Sequence, residues 1–277
     1  MIKHLHFFLV FWVLLGFSTY TNAQSLRYNV SQPYISLSSY SNEQIDPFSF
    51  TGNQAALASI KQSGIGIYGE RRFSINELNN TSLAAAFKSK LGNFGLQANY
   101  FGFRNFSENK IGLAYARDLG STLALGAQFN YYSYQVPAYN SASAVNFELG
   151  LIAHLTEKLN AGVHVYNPVG GELSKVDNEK LASAYKLGFG YDASEQFYVS
   201  AEFVKEEDKP TNVIAGISYQ FAKKFFARGG FVGDTGSAFA GFGIGWDALR
   251  LDVAANYHPQ LGVSPGLSLI ANLKNKK

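Results

Sequence analysis

The chain has 277 residues, no cysteine, one methionine and a formal net charge of +3. Without cysteine there is no disulfide framework and no residue for a lipid-anchored N-terminus, and so mild a charge gives no case for a nucleic-acid partner. The 27 Gly, 17 Tyr and 23 Phe, set against 7 Pro, favour strands and tight turns over helices.

In chain order, Lys3, His4 and His6 precede the apolar run Phe7 to Phe17, and the stretch from Ser18 ends on the small residue Ala23. That is the pattern of a secretory signal, so residues 1–23 are read as a signal peptide cleaved after Ala23. The alternative is an uncleaved anchor, but the apolar run of about ten residues is shorter than the roughly 20 that a spanning helix needs. No second long apolar run follows.

Residues 24–61 alternate poorly. Gly52-Asn53 is followed by an alanine-rich stretch, Asn53 to Lys61, that predicts a short helical turn. This region is read as a tether or small hatch folding back into the mouth of whatever follows. A plain leader is the alternative, since chain termini are often loose.

From Ser63 onward the period is two almost everywhere. Leu249, Leu251, Val253, Ala255 and Tyr257 share one face, and Arg250, Asp252, Ala254 and Asn256 share the other. The pattern predicts about fourteen strands: 63–73, 81–90, 92–103, 109–118, 121–134, 143–155, 158–167, 182–192, 195–205, 210–221, 223–233, 236–246, 248–258 and 264–273. Each is near the ten residues with which a tilted strand crosses a bilayer. Turn residues separate them, and no linker divides them, so residues 62–277 are read as one domain.

Alternation fits a soluble sandwich with its apolar faces turned inward, and equally a membrane barrel with its apolar faces turned to lipid. Three features favour the barrel. The signal exports the chain. The strand count is even. Aromatics such as Tyr131, Tyr132, Tyr185, Tyr191, Phe225, Phe226 and Tyr257 gather near strand ends, where interfacial girdles form. The predicted fold is therefore all-β, a single antiparallel transmembrane barrel of about fourteen strands with a short N-terminal hatch, placed in the outer membrane and in contact with its lipid.

The stretch Asn53-Gln54-Ala55-Ala56-Leu57-Ala58 resembles the Asn-Pro-Ala-Ala-Leu element near the N-terminus of FadL-like outer-membrane channels and of the related PorV/PorQ barrels of the type IX secretion machinery. Tyr166-Asn167-Pro168-Val169-Gly170-Gly171 is similar to their turn motifs. Gln54 stands where the family has proline, and the chain is shorter than typical members. The resemblance implies an N-terminal segment followed by fourteen strands. It also implies one of two uses: a channel or uptake barrel for small hydrophobic molecules, or a non-transporting partner barrel of a protein-export or envelope-assembly complex. The hatch motif is then Asn53, Gln54, Ala55, Ala56 and Leu57.

The polar face carries Glu70, Arg72, Lys88, Glu148, His154, His164, Lys186, Glu202, Arg228, Arg250 and Asp252, all expected to face the lumen. Both signs are present, so they either pair across a narrow lumen or line a selective pore. Catalysis is not expected, because no Gly-x-Ser-x-Gly stands at a strand-to-helix elbow and His-Glu-x-x-His does not occur in the sequence. His154 and His164 fall short of the three or four ligands a metal normally takes. Glu206 to Pro210 reads as a solvated charged turn. No cofactor is expected.

Overall fold

The computed structural model describes residues 33–136, 140–170, 172–174, 179–207 and 209–273. The expected signal peptide and the first residues of the hatch lie outside them. The strands are β1 (Gly64–Arg71), β2 (Asn79–Phe87), β3 (Asn93–Phe103), β4 (Phe106–Leu119), β5 (Leu123–Val136), β6 (Asn140–His154), β7 (Leu159–Tyr166), β8 (Glu172–Ser174), β9 (Glu179–Lys180), β10 (Ala184–Asp192), β11 (Phe197–Glu206), β12 (Asn212–Phe221), β13 (Phe225–Val232), β14 (Ser237–Trp246), β15 (Leu249–His258) and β16 (Gly262–Asn272).

Fourteen of these close into one barrel. Neighbours in sequence pair antiparallel, β7 pairs with β10, and β16 returns to β1. The remaining two, β8 and β9, form a small ribbon within the β7–β10 connection. At three and two residues, they are too short to show a period, and the sequence did not disclose them.

Closure settles the two faces. Ile111, Leu113, Phe129, Val145, Phe231, Phe242, Val253 and Leu267 lie exposed on the outside, Leu113 at 63 %. Gln97, Asn99, Lys110, Gln128, Asn130 and Glu148 are buried on the inside. A surface so continuously apolar is one that hydrocarbon solvates, and closure leaves no unpaired strand edge in it. The barrel is thus a transmembrane one.

The connections differ at the two ends. At the end where β1 begins they are brief, as in the Asp247-Ala248 turn between β14 and β15, where Asp247 takes φ 51°. At the other end two are longer, residues 72–78 between β1 and β2 and residues 167–183 between β7 and β10, and the rest are as brief. We call these the turn end and the loop end.

The core is inside the barrel and is made by the N-terminal segment. A short helix α1 (Pro33–Ser36) leads into 3₁₀ turns at Leu37–Tyr40, Ser49–Thr51 and Gln54–Ser59. Tyr34, Ile35, Tyr40, Phe48, Phe50, Ala55 and Leu57 are almost completely buried. The helical turn expected from Asn53 is there. Its cap is Asn53, whose Oδ1 accepts the Ala55 amide at 3.0 Å. The segment starts near the loop end, where Pro33 borders the same cavity as Thr235 and His258. It descends to the turn end, where Ser41 and Asn42 bond Asp192, then loops back up and down before entering β1.

Candidate functional site: the filled lumen

The barrel makes room for the segment with inward glycines. A methyl on Gly66 would lie 2.4 Å from the Phe48 ring, one on Gly126 2.4 Å from the Gln54 carbonyl carbon, and one on Gly150 2.2 Å from Asn53 Oδ1. Gly188 meets the Tyr40 ring at 2.2 Å and Gly241 the Tyr34 ring at 2.4 Å in the same way. These glycines are seats for the plug, which explains why they interrupt otherwise regular strands.

Two polar centres fasten the plug to the wall. The first is Glu148 on β6. Its carboxylate accepts from Lys110 Nζ at 2.6 Å, Asn130 Nδ2 at 2.9 Å, Gln128 Nε2 at 3.3 Å and Gln54 Nε2 at 2.5 Å, and it meets His164 Nε2 at 2.9 Å. Lys110, Glu148 and His164 are all buried. Gln54 belongs to the plug, so its side chain ties the plug to the lumen's central charge. The second centre is Asp46 of the plug. It accepts from Arg228 at 3.0 Å and lies 3.9 Å from Arg250, which itself forks onto Asp252 with two bonds of 2.8 Å. Arg228 also donates to Ser38 Oγ at 3.1 Å, and Arg250 lies over the Phe226 ring at 4.0 Å.

Of the other residues expected to line the lumen, Glu70 is buried there and accepts from Tyr68 OH and Asn256 Nδ2. Lys186 donates to the Gly52 carbonyl of the plug at 3.4 Å and faces Glu202 at 4.0 Å. His154 is half-buried near the turn end, bonded to Asn160, whose Nδ2 donates to the Tyr40 carbonyl. His154 and His164 therefore serve different partners and do not converge. Arg72 follows the end of β1 and turns in at the loop-end mouth, 3.6 Å from Glu70 and over the Phe101 ring. One expectation needs correction. Lys88 lies beyond β2, exposed on the turn-end rim, where it reaches the Lys61 carbonyl. There the strand stops before the residue, so alternation no longer sets its direction.

Sequence reading missed Lys110, Gln128, Asn130 and Asp192, although the alternation of β4, β5 and β10 places each of them inward. Asp46 carried no such signal, because it lies outside any periodic segment.

The loop end is closed separately. Phe101, Tyr132, Ala144 and Leu181 form a buried apolar group. Leu181 is brought over the mouth by Asn167, whose Nδ2 donates to its carbonyl at 2.5 Å. At the turn end a cavity of about 450 Å³ opens between plug residues Ile45, Pro47 and Ile60 and wall residues Phe226, Arg250 and Ile270. Most of the charges inside face an opposite charge, and the plug makes the lumen a packed interior.

The molecule is in class a plugged, fourteen-stranded transmembrane barrel. No protein-family model matches the sequence, and no curated protein is significantly similar to it. Solved structures share the fold. The Pseudomonas putida toluene transporter TodX aligns over 91 % of this chain and 98 % of its own, with a TM-score of 0.62 at 11 % identity. The CymD monoaromatic hydrocarbon channel covers 87 % and 97 %, with a TM-score of 0.60 at 11 % identity. A FadL homologue of Pseudomonas aeruginosa covers 85 % and 96 %, with a TM-score of 0.57 at 10 % identity.

Proposed function

We propose that the chain is an outer-membrane uptake barrel of the FadL-like kind for small hydrophobic molecules, closed at rest by its own N-terminal segment. The observation that carries this reading is the plug: residues 33–60 occupy the lumen on glycine seats and are tied to the wall by non-covalent polar bonds. The fold shared with hydrocarbon channels supports it. So does the exterior belt, and the end at which every turn is brief is read as the periplasmic one, with the loop end outside. A hydrophobic molecule would pass the apolar group at the loop end, displace the plug and leave by the turn-end cavity.

Cells carrying the full chain should accumulate labelled toluene severalfold faster than cells without it, and equal rates would sink the proposal. A non-transporting partner barrel, the second expectation, gains nothing from the solved structures named above. The filled lumen is its one favourable observation, and a co-purifying envelope protein together with unchanged toluene uptake would bring it forward.

A further inference from the structure

Most strand glycines face inward and seat the plug, but Gly69 does not. It occupies an outward position of β1, between Leu267 of β16 and Thr81 of β2. Its φ is unremarkable for a strand, and no atom lies within 4 Å of where its Cβ would be. Neither close packing nor backbone conformation requires glycine there, although glycine weakens a strand. What its missing side chain leaves is a groove of about 420 Å³, lined by Gly69, Arg71, Asn79, Thr81, Pro265 and Leu267. Glu70, Asn80 and Gly266 border it as well, but the Glu70 carboxylate is held by Tyr68 and Asn256 in the lumen.

The register fixes the groove's depth. Leu267, Gly69, Thr81 and Tyr100 form one outward row. Below it, towards the turn end, the outward positions are apolar: Leu269, Ile67 and Leu83. Above it stand Arg71 and Asn79. The row therefore marks the boundary between hydrocarbon and headgroups at the loop end, with the exposed aromatic Tyr100 on it. The β1–β16 ladder stops at Glu70–Gly266, below Pro265, so the groove is open at its upper edge. Arg72 turns to Glu70, but Arg71 is exposed and makes no ion pair among the described residues.

We propose that this groove is a binding site for a phosphate-headed lipid of the leaflet at the loop end. The phosphate sits on the Arg71 guanidinium, which suits it by charge and by its donor fork. The Thr81 hydroxyl donates beside it, and one acyl chain fills the slot at Gly69 against Leu267. The proposal rests on the outer-membrane orientation given above, but not on transport, so the toluene assay and the one below can fail independently.

The test is native mass spectrometry of the detergent-purified full chain with bis-phosphorylated lipid A, with phosphatidylethanolamine and with inorganic phosphate. Lipid A adducts should dominate, and Arg71→Gln and Gly69→Leu should each reduce them at least threefold. Arg117→Gln, at the opposite rim, should leave them unchanged. Heat-modifiable gel mobility reports whether each variant still forms a barrel, and Thr81→Val serves if Gly69→Leu does not. Adducts undiminished in Arg71→Gln, or equal loss in Arg117→Gln, would overturn the site, and equal retention of phosphatidylethanolamine would overturn its assignment to the leaflet that holds lipid A. Retention of inorganic phosphate alone would overturn the acyl slot.

Discussion

Glu148 shows how much the lumen depends on single side chains. A buried carboxylate is tolerable only while its partners remain, and removing one partner of a buried pair typically costs about 3–5 kcal/mol. Lys110→Met should therefore lower stability by that order, measured by urea unfolding in detergent. Lys110→Met with Glu148→Leu should recover most of the loss, because no charge is then stranded. A double variant as weak as the single one would show that the pair is not the principal term. Gly150 makes a second argument at this scale. A methyl there would overlap Asn53 Oδ1 and lie 2.9 Å from the Ala55 amide nitrogen. Gly150→Ala should push the plug's 3₁₀ turn from its seat and raise single-channel conductance in a planar bilayer, whereas Gly69→Ala, with empty space around it, should not.

At the scale of the element, the plug is a chain segment without regular structure of its own. Its turns are short, its apolar residues follow no helical stripe, and its order comes from the wall around it. Its release therefore depends on bonds to the wall, among them Asp46–Arg228, Gln54–Glu148, Ser41–Asp192, and those from Asn160 and Asn93 to the Tyr40 and Leu57 carbonyls. Asp46→Ala leaves Arg228 without its carboxylate and should expose the segment. Chymotrypsin, for which Tyr34, Tyr40, Phe48 and Phe50 are sites, should then cut within residues 33–60 at least several times faster than in the unaltered protein. An unchanged cutting rate would mean that the glycine seats and the remaining bonds hold the plug without Asp46. The same distinction explains what the sequence revealed. The barrel strands were legible to within a few residues because period two is written in each one, as in Leu249 to Tyr257. The hatch was legible only as a place where the period fails, and its path through the lumen was not. Asp46, Tyr34 and Tyr40 contact strands more than a hundred residues away, and no local pattern marks such a contact. Lys88 was misdirected for the complementary reason, since alternation was extended past the strand that enforces it.

For the molecule as a whole, the energetics are inverted relative to a water-soluble protein. Apolar area faces outward, and the interior is held by hydrogen bonds, ion pairs and a swallowed segment. A soluble sandwich built from the same strands would bury Leu113 and expose Gln128; here Leu113 is exposed and Gln128 is buried. This gives a test of the membrane assignment that needs no ligand. Leu113 lies near the middle of β4, far from both rims, so an arginine there would sit at the bilayer midplane, where it costs about 2–4 kcal/mol. An arginine at Leu119, the last residue of β4, would sit near the interface and cost about 0–1 kcal/mol. Unfolding in lipid vesicles should show that gradient, and in plain detergent it should flatten, because a micelle adapts its thickness around the charge. Equal penalties at the two positions in vesicles would mean that the belt does not face a bilayer, and the barrel would have to be read as a water-facing one.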